Sequence, residues 1–487
     1  MRLPMWLAAS VALALGGCDF APRYVLPSPS LSAKFKDATA EGAALPASED
    51  WWRAFNDMTL DRLQAEVDAA NPDLAAAIAA NDAAQAHAAE GMSRLLPQAD
   101  ALGQISANRQ SDDRPLRSKG QPDFYGNNIL GGQVSYELDL WGRVRDVAQS
   151  ANASAEASAD ALAQARLELH AELARDYIDL RGLDDEAKLV ARTIGAYRSA
   201  LELTKSRLEE KIASPLDVDR AQTQLSNAEA QASDLALRRA VLEDAIAALI
   251  GRSAASFAMA RSARPLALPA RPRAVPADVL RRRPDVAEAE RLTAAANFGV
   301  GAARANFLPR FTLIALGGTQ DTGYKLFYPG NVFGTLGPAV DLPVFDAGLR
   351  QAELDVAKAE FTERAEKYRS TVLRAVKEVQ EELSALRWLA VERRQTATAA
   401  ASATQAADLS LTLYRDGESS YLDVVTAETA AFEAERLEVA LHTRELSANV
   451  ALMLALGGGW SAGSAPAPRA INITPTPLQM ARSLTQP

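Results

Sequence analysis

The chain holds one cysteine in 487 residues, Cys18, placed directly behind Leu15-Gly16-Gly17. A thiol that follows small residues at the end of a short apolar run is what lipid attachment to a processed N-terminus needs. Arg2 gives the positive start, and Met5 to Leu15 gives the apolar run. That run falls short of the roughly 20 apolar residues of a membrane-crossing helix. Residues 1–17 therefore read as a lipoprotein signal peptide and Cys18 as the lipidation site. An ordinary export signal with a chance cysteine is the competing reading. A covalent lipid would anchor the chain by burying methylenes, at about 0.8 kcal/mol each. A lone cysteine excludes a disulfide within the chain.

Two further constellations pair a serine with an aspartate three residues on: Ser214 with Asp217, and Ser420 with Asp423. At that spacing the two side chains satisfy free amides of a helix N-terminus, and the acid faces the positive helix end. They mark helix starts before they mark anything else. Catalysis finds no footing. No Ser/His/Asp set, phosphate-binding loop or zinc spacing occurs, and His87, His170 and His442 lie too far apart to read as a metal site. Neither a catalytic residue nor a metal is expected, and no cofactor beyond the lipid on Cys18. A formal charge of −10 disfavours a nucleic-acid partner, which needs a basic patch.

The elements that carry these signals occur twice. Asn71-Pro72-Asp73-Leu74 returns as Arg283-Pro284-Asp285-Val286, and Leu96-Pro97 as Leu308-Pro309, both 212 positions on (284 − 72; 309 − 97). Ser214-Pro215-Leu216-Asp217 returns as Ser420-Tyr421-Leu422-Asp423, 206 positions on (420 − 214). The shift changes once, so two homologous halves differ by six residues at a single place. The organisation reads as a signal peptide (1–17), a lipid-anchored arm (18–58), a first repeat (59–260), a linker (261–277), a second repeat (278–459) and a C-terminal tail (460–487).

Each half opens with a helix and then gives two strand-like runs. Gln98 to Asn108 alternates small or apolar residues with mostly polar ones. Gln133 to Leu140 sets Val134, Tyr136, Leu138 and Leu140 against Gln133, Ser135, Glu137 and Asp139. Period two is the strand signal, and one apolar face is what a membrane barrel requires. Arg310 to Thr319 and Val332 to Phe345 repeat the scheme, and the connecting loop shortens from Gln110–Asn128 to Gln320–Asn331. Very long helices follow. Arg143 to Lys211 lacks proline, and Leu349 to Asp416 lacks both proline and glycine. Each helix is on the order of 100 Å long, and it turns back for about half its length (about 215–250 and 421–456).

Four strands cannot close a barrel, for which about eight is the practical minimum. Open strand edges cannot sit in lipid either. Several chains must share one barrel, or else the strands form a soluble sheet on a coiled coil.

The sequence resembles the TolC-like outer membrane factors, in their lipid-anchored NodT-type branch, the outer membrane components of tripartite efflux systems. The resemblance runs from Cys18 to about Gly457. It rests on Trp51-Trp52-Arg53-Ala54-Phe55, Asn71-Pro72-Asp73-Leu74, Tyr136 to Gly142, Leu280 to Val286, Phe307-Leu308-Pro309 and Tyr414-Arg415-Asp416-Gly417. It implies a mainly α fold with membrane β. A homotrimer would form a 12-stranded β-barrel continuous with a 12-helix α-barrel tunnel, each chain giving four strands and long helices in two homologous halves. The implied protein is a passive exit duct in the outer membrane, lipid-anchored and extending into the periplasm. Its implied partners are a periplasmic adaptor (membrane fusion) protein, an inner-membrane proton-driven pump of the resistance–nodulation–division (RND) type and outer membrane lipid. Competing roles are the outer component of a type I protein exporter or a metal-ion efflux system, or a non-conducting periplasmic scaffold lipoprotein.

By the same resemblance, Leu422 and Asp423 fall on the apolar and acidic rings of a closed periplasmic gate. Thr426 stands where the family often has a second aspartate. Adaptor docking is expected at the tips, near Arg207, Lys211 and Ser214 and near Arg415, Gly417 and Ser420. Capping is the competing role for the aspartates, and a solvated helix charge is the competing role for the arginines. Gly417 suits a left-handed helix end. Lys211, its counterpart (417 − 206), does not, so the first tip's turn is expected to be the less secure.

Overall fold

The computed structural model describes residues 20–25, 32, 34–36, 50–113, 118, 120–261, 266–270, 280 and 282–460. Cys18, the export signal and the tail after Trp460 lie outside the described residues. The first half consists of α1 (Met58–Ala70), α2 (Pro72–Ser93), β1 (Gln98–Arg109), β2 (Phe124–Leu138), α3 (Arg143–Glu209) and α4 (Pro215–Leu249). The second consists of α5 (Pro284–Ala305), β3 (Arg310–Asp321), β4 (Val332–Asp341), α6 (Leu349–Asp416) and α7 (Tyr421–Ala455).

Local chemistry sets the boundaries. Asp57 caps α1 by accepting from the amides of Thr59 and Leu60 at 2.8 and 3.0 Å. Asn71 separates α1 from α2. Its Oδ1 accepts from the Leu74 amide at 2.8 Å, and its Nδ2 donates to the Leu249 carbonyl at 2.7 Å, tying the end of α4 to this junction. Pro72 occupies the first helical position, where its missing N–H costs nothing.

The strands depart from the alternation pattern at both ends of β2 and at the end of β4. β2 starts at Phe124, inside the stretch expected to be loop, because Phe124 to Asn128 pair with Arg109 to Ile105. It stops at Leu138, since Asp139 turns to cap α3. Asp139 accepts from the amides of Val144 and Arg145 at 3.0 and 2.9 Å. β4 likewise ends at Asp341, ahead of Pro343, which has no N–H for a ladder.

The four strands form one antiparallel sheet in the order β1-β2-β3-β4. Its register puts Ala99, Val134, Ala315 and Leu336 in one cross-strand row. A further row on the same face, one beyond Tyr136 and Leu313, holds Leu138, Phe311 and Val340. The opposite face carries Asp100 beside Gln133, and Glu137 beside Thr312. Ile105, Leu336 and Val340 stay 80, 76 and 58 % exposed, so this apolar face has no core of its own to cover.

The helices follow the same lateral order as the sheet. Near the strands, α2, α3, α5 and α6 lie side by side. Towards the tips, α4, α3, α7 and α6 do so. One chain is thus a stave with two open edges: β1, α2 and α4 on one side, β4 and α6 on the other. No described helix is long and apolar enough to cross a membrane.

Packing at mid-height joins α1, α3, α4 and α7 around Trp51, Phe55, Leu63, Tyr177, Ile178 and Ile246. Beside it lies a buried ion cluster. Asp184, 1 % exposed, takes the guanidinium of Arg181 at 3.0 Å and that of Arg239 at 2.8 Å. Arg239 also donates to the Met259 carbonyl at 2.8 Å, and Arg181 to the Ala260 carbonyl at 3.0 Å. The cluster therefore pins the segment after α4 onto α3. Removing the carboxylate would take the ion pair from the buried Arg181 and leave Arg239 to Glu243 alone, at 2.7 Å. Asp184→Ala is expected to destabilise the chain by about 3–5 kcal/mol, and Asp184→Asn by less, as read by denaturant unfolding.

Candidate functional site

Both long helices end in the same turn, and both return helices start with the same cap. Ser214 and Ser420 each accept from the amide three residues on, at 3.3 and 3.4 Å. Asp217 and Asp423 each reach back to the serine amide, at 3.1 and 3.0 Å. The two capping boxes are complete. Asp423 uses Oδ2 for this, accepting from the Ser420 hydroxyl at 2.7 Å. The Ser420 hydroxyl and amide hold its carboxyl below the usual carboxylate range.

Capping therefore does not remove Asp423 from the surface. Leu422 is 49 % exposed, and Asp423 and Thr426 are exposed with it over the first two turns of α7. Thr426 turns its hydroxyl back onto the Leu422 carbonyl at 2.9 Å. The tip thus presents an exposed leucine beside an ionised aspartate, and Thr426 adds no charge there.

The first tip turns more like the second than the sequence implies. Lys211 adopts the left-handed conformation, φ 60°, and Gly417 does the same at φ 84°. The ladder explains it. Ile212 donates to the Arg207 carbonyl at 2.8 Å, as Glu418 donates to the Leu413 carbonyl at 2.8 Å. Each bond reaches back five residues, which forces the intervening residue left-handed. Lys211 accepts a strain that glycine would not carry.

Arg207 is not a solvated charge. It donates to the Tyr414 carbonyl, and its guanidinium lies 4.5 Å above the Tyr414 ring. Tyr414 in turn meets Tyr421 at 5.4 Å, and both are buried with Tyr197 and Val424. One arginine on the first tip thus grips the end of α6 on the second. Lys211, Ser214, Arg415, Gly417 and Ser420 are exposed and take no part in this clasp.

Tyr197 and Glu428 escaped the sequence reading, and Tyr414 and Tyr421, though part of the quoted motifs, were given no role there. The available signal was the placing of Tyr414 and Tyr421 on either side of one turn, where the first half has Leu208 and Pro215. Glu428 sits in the same cluster with Oε2 buried and unbonded, and burial pushes its carboxyl up to about 7. Burial, with Glu428 nearby, likewise pushes the Tyr197 hydroxyl up to about 12.

His170 is tied into the mid-height packing. It stacks on Trp52 at 4.5 Å, bonds Gln64 and meets Asp68 at 3.1 Å, and burial pushes its pKa down. Neither serine nor cysteine contacts it among the described bonds.

The chain matches the family model for outer membrane efflux proteins over residues 63–252 and 275–458, one segment in each half. It is 31% identical to the toluene efflux pump outer membrane protein TtgC of Pseudomonas putida over 463 residues, covering 93% of this chain and 95% of that protein. Among solved structures, the outer-membrane channel OprN superposes with a TM-score of 0.84 at 28% identity, over 91% of this chain and 100% of that one. The outer membrane protein VceC of Vibrio cholerae gives 0.81 at 27% identity, over 85% and 100%.

Two outcomes are expected at the tips. Lys211→Gly should stabilise the chain by about 1 kcal/mol by relieving the left-handed lysine, as read by thermal unfolding. Glu428 has its folded pKa raised above the ordinary 4.5 to about 7. Its contribution is therefore fully present below pH 4.5 and is lost as pH rises through about 7. Glu428→Gln should then melt higher than the parent at pH 8, and the gap should close towards pH 5.

Proposed function

The chain belongs to the outer membrane efflux protein family and is an outer-membrane exit duct, and we propose that three copies complete it. Four strands in each of three chains make twelve, enough to close a barrel. The four long and returning helices of each chain would continue that barrel as a tunnel into the periplasm. The observation that carries this reading is the sheet. Both its edges are open, and its register gathers apolar side chains on one face with no core beneath them.

The bore is a passage and not a reaction site, so energy must come from elsewhere. An inner-membrane pump of the RND type supplies it, coupled through a periplasmic adaptor that docks at the helix tips. Arg207, Lys211, Ser214, Arg415, Gly417 and Ser420 border the docking grooves. Leu422 and Asp423 narrow the resting aperture, with Thr426 behind them. The cargo is small molecules such as drugs, chosen by the pump. A lipid on Cys18 fixes the arm in the outer membrane.

The reading is tested by native mass and by conductance. Purified protein should have the mass of three chains and conduct weakly in planar bilayers. Leu422→Ala with Asp423→Ala should raise conductance several-fold. Asp423→Asn, which keeps acceptors for the cap, should raise it through loss of charge alone. A single-chain mass without conductance overturns the duct as proposed, and an unchanged conductance in the variants removes these residues from the gate.

A further inference from the structure

The register of the sheet fixes which strand residues share its polar face, and in the proposed duct that face lines the bore. Four strand residues on it carry charge: Asp100, Glu137, Arg310 and Asp341. All four lie in the rows nearest the helices. Asp100 stands furthest from the helices, in a row with Gln133, Leu316 and Thr335. Beyond it the face is uncharged to the end of the ladder. The next row holds Leu102, Gly131, Gly318 and Phe333, and Gln104, Ile129 and Gln320 follow.

Three of these four charges are answered. Glu137 takes both arms of the Arg143 guanidinium, at 2.9 and 2.7 Å. Arg310 donates to Asp341 at 3.0 Å across the β3–β4 ladder. Asp139, just past the end of β2, spends its carboxylate on the α3 amides and on Arg145 at 3.1 Å. Asp100 differs. It is exposed, and among the described residues it has neither a hydrogen bond nor an ion pair. Gln98, its same-face neighbour along β1, gives its amide to the Ser93 and Leu96 carbonyls instead, at 2.9 and 3.0 Å.

A closed ion pair presents a dipole, whose field fades faster with distance than that of a lone charge. The paired groups therefore contribute little at the middle of a wide bore, and the unanswered carboxylate contributes most. Twelve strands at ordinary spacing and tilt enclose a bore on the order of 10 Å in radius. That is about one Debye length in 0.1 M salt and several in 1 M salt, where the length shrinks to about 3 Å. A carboxylate on the wall is thus felt at the axis in dilute salt and screened in concentrated salt.

We propose that Asp100 sets the charge preference of the barrel, admitting cationic solutes over anionic ones at the height where the tunnel enters it. The proposal rests on the three-copy duct above and adds the residue that discriminates. Three copies bring three such carboxylates to one height. The uncharged rows beyond them offer no cation to offset the field. A solute leaving the tunnel passes this ring last among the charged strand positions of the bore.

Reversal potentials across a potassium chloride gradient in planar bilayers test this. The background is the Leu422→Ala, Asp423→Ala variant, in which the acidic tip residue is gone. Asp100→Asn keeps the size of the side chain and removes its charge. It should lower the potassium-to-chloride permeability ratio by up to about fourfold near 0.1 M salt and hardly change it near 1 M. Gln133→Lys, directly across the ladder from Asp100, should lower the ratio as well by answering the carboxylate. It carries the test alone if Asp100→Asn fails to assemble. Arg310→Gln with Asp341→Asn removes a closed pair and should leave the ratio unchanged. A conducting duct whose ratio ignores the loss or the neutralisation of Asp100, or shifts as far when the pair is removed, overturns the role of Asp100 and leaves the duct standing. Absence of conductance in the background protein would instead remove the reading beneath it.

Discussion

The outer strands of the sheet decide everything else about this molecule. β1 and β4 each use one side of their backbone for a neighbour and leave the other side open. In water such an edge is a liability; in hydrocarbon, each unpaired amide or carbonyl costs several kcal/mol. The apolar cross-strand rows point the sheet towards hydrocarbon all the same. Closure by identical copies, as proposed, would meet both demands, and the strands set the lateral order of the helices hung from them. The helix order α2-α3-α5-α6 follows the strand order because every helix beside the sheet is joined to a strand.

Most of this architecture was legible in the sequence, for reasons that differ between elements. α6 runs from Leu349 to Asp416 because no proline or glycine interrupts it and Gly417 ends it. The caps at Ser214 and Ser420 were legible because three-residue spacing is local. Phe124 to Asn128 was not, since its Gly-Asn-Asn stretch breaks the alternation while its backbone still pairs. Asp139 looked like a strand residue because its role depends on the chain turning into a helix immediately after it.

The tip shows the limit of local reading most clearly. Arg207 and Tyr414 are 207 positions apart, and nothing near either one announces the other. Lys211 adopts the turn of Gly417 despite its side chain, at the strain expected of it. Its side chain disfavours a left-handed turn, but the bond from Ile212 to the Arg207 carbonyl outweighs that preference. The two tips are therefore alike in backbone and unlike in side chains. Tyr414 and Tyr421 sit on the second and Tyr197 on the first, and the contact between them combines that buried cluster with the Arg207 guanidinium and the bonds of Gln224 to Val425 and Thr429.

The uniform spacing of the two halves has a consequence for how such a duct can change in length. From Gly142 through Gly251 the second copy follows the first at a constant 206 positions (348 − 142; 457 − 251), while the strand connection absorbed six residues. Antiparallel partners keep their facing pairs only if whatever is inserted in the outgoing rod is matched in the returning one, and again in the sister hairpin. A taller or shorter conduit would need four coordinated edits at once. The reach across the space between two membranes is therefore among the most resistant dimensions of the molecule, and the outer loops are among its most changeable parts.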